Sequence, residues 1–285
     1  MYRSSSGHSI FANSMSWNWI FLISLIITNL FHITETLSTS STLNTVNAKD
    51  ALKVDRKLKL IFPGGGIFFY WQAGAVSYLR EAGYNLDDVS FSGASAGALV
   101  ATLTATDVDF EEATELALSL CETYGVWERP LGLFGIWGGI IEEWLDELVP
   151  LDAVDQIDGR LSILLTPVPN LGKARISSFK NKEDLIACNM ASIHLPFFLD
   201  KKPVTQFRES AYIDGSFWSK TEDYCDSNQF TKLVLDWQQD PIMAANSGDF
   251  VKALGREGIW SIFRQGQKFA SELDAEGGFK VLKRR

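Results

Sequence analysis

Histidine is scarce in this chain. Only His8, His32 and His194 occur among 285 residues, so none follows position 194. A triad in the chain order serine, acid, histidine is therefore excluded for any acid beyond that point. Cysteine is equally sparse: Cys121, Cys188 and Cys225 are odd in number, widely spaced and without a C-x-x-C pair. They fit buried free thiols better than a disulfide framework or a zinc site. No carboxylate and histidine cluster stands at metal-ligand spacing, so no metal and no cofactor is expected. Positive charge is in deficit, with a formal net charge of −9, which argues against nucleic acid or strongly anionic membranes as electrostatic partners. There are no internal repeats. Between positions 4 and 34 there is no Asp, Glu, Lys or Arg.

What is present begins with Gly93-Ala94-Ser95-Ala96-Gly97, a G-x-S-x-G sequence between a strand pattern over 89–91 and a small-residue helix pattern over 96–104. Gly93 and Gly97 leave room for strand and helix to cross closely. A serine at such a junction sits on a strained turn with its hydroxyl lifted clear, and the helix N-terminus aims N–H groups at charge forming on it. The plainer alternative is a glycine-rich packing turn that happens to hold Ser95. The strongest downstream acid is Asp214, ending a short strand over 211–213 and followed by Gly215. With no histidine after it, the carboxylate itself is the candidate general base, in a serine and aspartate dyad. Taken alone, Asp214 also reads as a solvated Asp-Gly hairpin turn. His194 as base is disfavoured, since Leu195-Pro196 follows it as at a helix end. A third element is the strand pattern over 58–62 running into Pro63-Gly64-Gly65-Gly66. Glycine N–H groups there can converge on an oxyanion, each donor being worth about 3–4 kcal/mol in comparable sites. A phosphate loop is the rival reading, but the Walker lysine and Ser/Thr are missing. A helix over 72–82 is expected next. Further expected strands span 161–165, 174–176 and 233–235, with a closing helix over 259–273.

These three elements, in this order, resemble the patatin-like phospholipase family, closest to its adipose triglyceride lipase and adiponutrin branch. The matching residues are Gly64, Gly65 and Gly66, then Gly93, Ser95 and Gly97, then Asp214 and Gly215. Similar stretches occur at Gly159-Arg160-Leu161-Ser162-Ile163 with Thr166, at 178–186, and at His194-Leu195-Pro196-Phe197-Phe198, so the resemblance covers about 58–218. It implies an α/β fold of three layers, a mostly parallel central sheet with helices on both faces, as the alternating strand and helix patterns over 58–103 also suggest. It implies Ser95 as nucleophile, Asp214 as base and an oxyanion hole from Gly64, Gly65 and Gly66, with Ser95 and Asp214 at the C-terminal edges of neighbouring strands. The resemblance departs at Phe69, where another glycine is usual, at Ser216, where Gly or Ala is usual, and in lacking an Asn-Pro pair after the aspartate.

The implied activity is hydrolysis of fatty acyl esters of phospholipids, galactolipids or acylglycerols through an acyl-enzyme. The alternatives are a transacylase, which differs only in the acceptor, and a catalytically weak lipid-binding scaffold. The partners implied are a lipid substrate and a membrane or lipid-droplet surface. The stretch 127–144, rich in aromatics and glycine but poor in periodicity, reads either as an acyl-chain groove or lipid-dipping surface, or as half-buried core. Residues 1–48 read separately from a hydrolase domain over 49–285, whose motif core is 58–218 and whose helical extension is 219–285. The apolar run 17–33 falls between a signal-peptide core and a spanning helix, and a Ser/Thr-rich linker follows it. It is expected to direct the chain to a membrane or the secretory route, cleaved or anchored.

Overall fold

The computed structural model describes residues 57–157, 159–226 and 229–285. The expected leader over 1–48 lies outside the described residues. Among the described residues, no helix is long and apolar enough to cross a membrane.

β1 (Lys57–Phe62) turns from exposed to fully buried along its length, as a strand does when it runs inward between neighbours. It is followed by α1 (Phe69–Glu81), β2 (Ser90–Ala94), α2 (Ala96–Ala105) and α3 (Phe110–Thr123). α3 starts where it does because the Asp109 carboxylate accepts from the N–H groups of Glu111 and Glu112 at 2.8 and 2.9 Å. A cap of this kind is worth about 1 kcal/mol, and the two first-turn glutamates suit the helix dipole. α4 (Trp137–Leu148) and the short α5 (Ala153–Ile157) lead to β3 (Leu161–Val168) and β4 (Ala174–Ile176). α6 (Lys182–Ser192), β5 (Thr205–Phe207), β6 (Ser210–Ile213), α7 (Thr221–Tyr224) and β7 (Phe230–Val234) follow, then α8 (Pro241–Ala245) and α9 (Arg256–Ala275).

The sheet runs in the order β5-β6-β3-β2-β1-β7, with β4 also on β3. β7, β1, β2 and β3 are parallel, while β4 and β6 run antiparallel to β3. β3 pairs with β4 through Ile163 to Leu165, and further along with β6 through Thr166 to Val168. One face of the sheet, with Leu60, Phe62, Phe91 and Ile163, packs into the main apolar core, which includes residues of α1, α2, α3, α4, α6 and α9. The other face packs Ile61, Ala94 and Leu164 on Tyr224 and Cys225, around α7. This is a three-layer α/β architecture with a mixed, mostly parallel sheet.

α1 is buried nearly all round because α9 lies across it. Gly74 faces the Phe263 carbonyl and Gly266 faces the Trp71 carbonyl so closely that a methyl group on either would collide. The two helices therefore meet backbone to backbone. The elements that the sequence reading anticipated begin within three residues of their expected starts. α3, α4 and α6 have no counterpart in the sequence reading. In α4 the pair Gly138-Gly139 breaks the apolar period, yet Gly138 is buried against Leu199, so the gap is filled by tertiary packing.

Candidate active site

Ser95 stands between β2 and α2 with φ 53° and ψ −132°, a region in which a non-glycine residue stores strain. The local sequence tolerates it through its glycines: a methyl group on Gly93 would strike the Gly97 carbonyl, and one on Gly97 would strike the Phe62 carbonyl. The Ser95 N–H donates to Ser192 Oγ at 3.0 Å, and that hydroxyl donates to the Leu164 carbonyl at 2.8 Å. Ser192, at the end of α6, thereby pins the turn to β3. The N–H groups of Ala96 and Gly97 belong to the first turn of α2 and have no intrahelical acceptor.

Asp214 reaches Ser95 by a route the sequence reading did not anticipate. It does not end a strand paired with β2, because β6 pairs with β3 and β5. β3 extends past the end of β2, and β6 runs back antiparallel along that extension. Asp214 is thus returned to the C-terminal edge of the parallel strands. Its Oδ2 accepts from Ser95 Oγ at 2.7 Å, while Oδ1 accepts from the Ser216 N–H at 2.8 Å and from Ser216 Oγ at 2.6 Å. Its own N–H donates to the His194 carbonyl at 2.9 Å, and its carbonyl accepts from Thr166 Oγ1 at 2.9 Å. Gly215 lies on the Leu164 carbonyl with no room for a Cβ. Lys173 Nζ bonds Thr166 Oγ1 at 2.9 Å, the Gly215 carbonyl at 3.2 Å and the Phe217 carbonyl. Asp214 is fully buried. Burial pushes its pKa above the ordinary carboxylate value, partly offset by the hydrogen bonds of Ser216 and Ser95 and by the Lys173 charge. His194 contributes only its backbone carbonyl to this arrangement. Its ring pairs through Nε2 with the Lys202 carbonyl at 3.2 Å, and burial lowers its pKa.

The glycine loop lies against both serines. A methyl group on Gly64 would come within 2.5 Å of Ser216 Cβ and 3.0 Å of Ser95 Cβ. Trp237 Nε1 donates to the Gly64 carbonyl at 2.9 Å, and the Phe250 carbonyl accepts from the Ile67 N–H at 2.8 Å. Gly66, at φ +55°, packs on that same Phe250 carbonyl. The carbonyl of Gly64 is therefore engaged from outside, and the N–H groups of Gly64, Gly65 and Gly66 have no partner among the described residues.

From Ser95 an apolar cavity of about 110 Å³ runs into the core, its walls including Gly66, Phe69, Leu99, Cys121, Trp137 and Trp144. This is on the scale of cavities that accept a benzene-sized hydrocarbon, about 150 Å³. Phe69, the departure from the expected glycine, opens α1 and packs edge-on against Tyr70 and Trp144 as a cavity wall. The stretch 127–144 supplies Trp127, Leu133, Trp137, Ile140, Ile141 and Trp144 to the same wall. Burial pushes the Cys121 thiol up to about 11, so it stays protonated and serves as an apolar surface. Ser192, Lys173, Trp237 and Phe250 support the site without having been singled out in the sequence. They contact residues of distant parts of the chain, and no local pattern marks them.

The Patatin-like phospholipase family profile matches residues 60–221. Mouse omega-hydroxyceramide transacylase is 29% identical over 65% of this chain and 31% of its own length. Human patatin-like phospholipase domain-containing protein 2 is 30% identical over 65% of this chain and 37% of its own. Mouse 1-acylglycerol-3-phosphate O-acyltransferase Pnpla3 is 28% identical over 56% and 40%. The chain thus spans between about three tenths and two fifths of the length of these curated relatives.

Proposed function

Because the chain belongs to the patatin-like phospholipase family, we propose that it is a lipid acyl hydrolase of the serine esterase type, with Ser95 as nucleophile and Asp214 as its general base. As Ser95 Oγ attacks an ester carbonyl carbon, Asp214 Oδ2 takes its proton. The oxyanion is met by N–H groups of the loop Gly64, Gly65 and Gly66 and of the first turn of α2. Collapse expels the alcohol, which takes the proton from Asp214, and leaves the acyl group on Ser95 with its chain in the apolar cavity. Water then attacks the acyl carbonyl as Asp214 takes its proton, and Asp214 passes that proton to Ser95 Oγ as the fatty acid leaves. The observation that carries this reading is the 2.7 Å hydrogen bond from Ser95 to Asp214 at the end of a cavity walled by hydrocarbon.

The second reading is acyl transfer to an alcohol in place of water. Ser95 is only 8% exposed, and an apolar, enclosed acyl-enzyme favours an acceptor that brings its own hydrophobic surface. Two of the relatives carry transferase names. In either reading the activity resides in 49–285, and residues 1–48 direct the domain to a membrane or the secretory route.

The test uses the full chain. Wild type should label with a fluorophosphonate probe and hydrolyse a p-nitrophenyl acyl ester, and Ser95→Ala should do neither. Product profiling on mixed membrane lipids, with and without an added long-chain alcohol, separates free fatty acid from a new ester. A folded wild type that neither labels nor turns over any lipid ester would replace the enzyme reading with a lipid-binding scaffold.

A further inference from the structure

We propose that Ser216 is a positioning residue of this site: its hydroxyl and N–H together hold Oδ1 of Asp214, so that Oδ2 alone faces Ser95. The inference rests on the reading of Asp214 as the base and adds a residue to it. Aspartate χ2 is a broad, two-fold torsion, so a buried carboxylate keeps one oxygen on its partner only if the other oxygen is held. Here both restraints on Oδ1 come from one residue, at 2.8 Å from N–H and 2.6 Å from Oγ. Glycine or alanine at 216 would leave the N–H alone.

The side chain does a second thing. Ser216 Cβ packs where a Cβ on Gly64 would stand, beside Ser95 Cβ. The turn that carries the aspartate is thereby seated on the loop that carries the oxyanion donors.

The remaining polar groups around Asp214 are otherwise engaged. Lys173, from the turn between β3 and β4, bonds Thr166 Oγ1 and the carbonyls of Gly215 and Phe217. The Tyr224 hydroxyl of α7 pairs with Ser219 Oγ at 3.0 Å, and burial pushes its pKa up to about 12. The His194 ring turns to the Lys202 carbonyl. Among the described residues, Ser216 is thus the one side chain that donates to Oδ1. A hydroxyl bonded to a carboxylate stabilises the charged form, which opposes the effect of burial.

Two measurements on the full chain test this. The first is the rate of fluorophosphonate labelling against pH for wild type, Ser216→Ala and Ser216→Gly. Both variants keep the N–H and lose the hydroxyl. Their acid limb should move to higher pH, with labelling at neutral pH slowed roughly tenfold, the scale of one charge-assisted hydrogen bond. A purely structural role lowers the rate without moving the limb, and that outcome overturns the proposal. The second is the titration of the Asp214 carboxyl by isotope-edited infrared difference spectroscopy, in Ser95→Ala with and without Ser216→Ala. It needs no turnover, so it answers even if the enzymatic reading fails. An Asp214 titration that Ser216→Ala leaves in place overturns the proposal; one that moves upward supports it.

Discussion

β2 and the turn that follows it carry serines in two settings that share residue type and little else. Ser92 lies on flat strand in register with Ser162 of β3, on the face of the sheet covered by α7. Ser162 Oγ bonds Ser92 Oγ at 3.0 Å, Ser92 Oγ donates to the Tyr224 carbonyl at 2.9 Å, and Lys59 Nζ reaches Ser162 at 3.4 Å. Lys59 also sits 4.2 Å over the Phe230 ring, and burial lowers its pKa. A serine beside a lysine whose pKa burial lowers has the composition of a nucleophile and a base. Its protons, however, are already given to fixed acceptors, and none of these residues lines the cavity. Three positions on, Ser95 has a strained backbone, a carboxylate acceptor and an opening to that cavity. Chemistry is assigned by what the hydroxyl faces, and Ser92 and Ser162 are interstrand glue.

The sharpest test of that contrast is to remove each hydroxyl in turn. Ser95→Ala should abolish covalent labelling and cut ester turnover by at least about 10⁴-fold, whereas Ser92→Ala and Ser162→Ala should still label. Loss of labelling in a folded Ser92→Ala would reverse the assignment. Asp214→Asn should cost about as much as a mis-protonated triad, roughly 10⁴-fold. Its effect on stability has the opposite sign. A carboxyl whose folded pKa is raised stabilises the fold at low pH and loses that contribution as pH rises through the folded value. Once the pH exceeds that folded value the wild type carries a buried charge, and there Asp214→Asn should melt no lower than wild type.

Next in size is Gly64→Ala, which drives a methyl group against Ser216 and Ser95 and should slow acylation by about 10²-fold, the scale of one lost oxyanion donor. Cavity filling should be gentler and selective. Ala117 is buried in the cavity wall, and Ala117→Phe should lower turnover of long-chain esters relative to short-chain ones roughly tenfold. Equal loss on both chain lengths would mean that acyl chains lie elsewhere. On the other side of the contrast, Ser92→Ala should cost about 1–3 kcal/mol of stability by stranding the buried Tyr224 carbonyl, measured by urea unfolding, with kcat unchanged. The smallest effect on activity belongs to His194→Ala. The acid limb follows Asp214, whose pKa lies above the ordinary carboxylate value, and activity falls as pH drops through it. Because the His194 ring faces Lys202, the variant should keep that limb in place; a limb that vanishes with the histidine would make His194 the base.

The elbow was legible because everything that defines it lies within five residues. Gly93, Ser95 and Gly97 are dictated by the collision of a strand and a helix that share a turn, and only small residues survive there. The Asp-Gly turn and the glycine loop were legible for the same local reason. α3, α4 and α6 were not, since their apolar faces are interrupted by Gly138-Gly139, by Asn189 and by threonines whose hydroxyls bond the helix backbone or a neighbour. One such pair is Thr102 Oγ1 to Asn189 Oδ1 at 3.0 Å, a contact between α2 and α6 that no periodicity registers.

Residue types and their spacing determined by themselves that a serine on a glycine-flanked turn, an Asp-Gly turn after a short strand and a glycine loop exist in this chain, because sterics and backbone preferences act over a few bonds. The tertiary structure alone decided how they meet. Asp214 reaches Ser95 only because β6 returns along the part of β3 that outruns β2, and the loop is steadied by Trp237 from 173 positions away. The cavity draws its wall from α1, α2, α3 and α4 at once. Such convergence depends on which surfaces must be buried together, a property of the whole folded chain that no single segment carries.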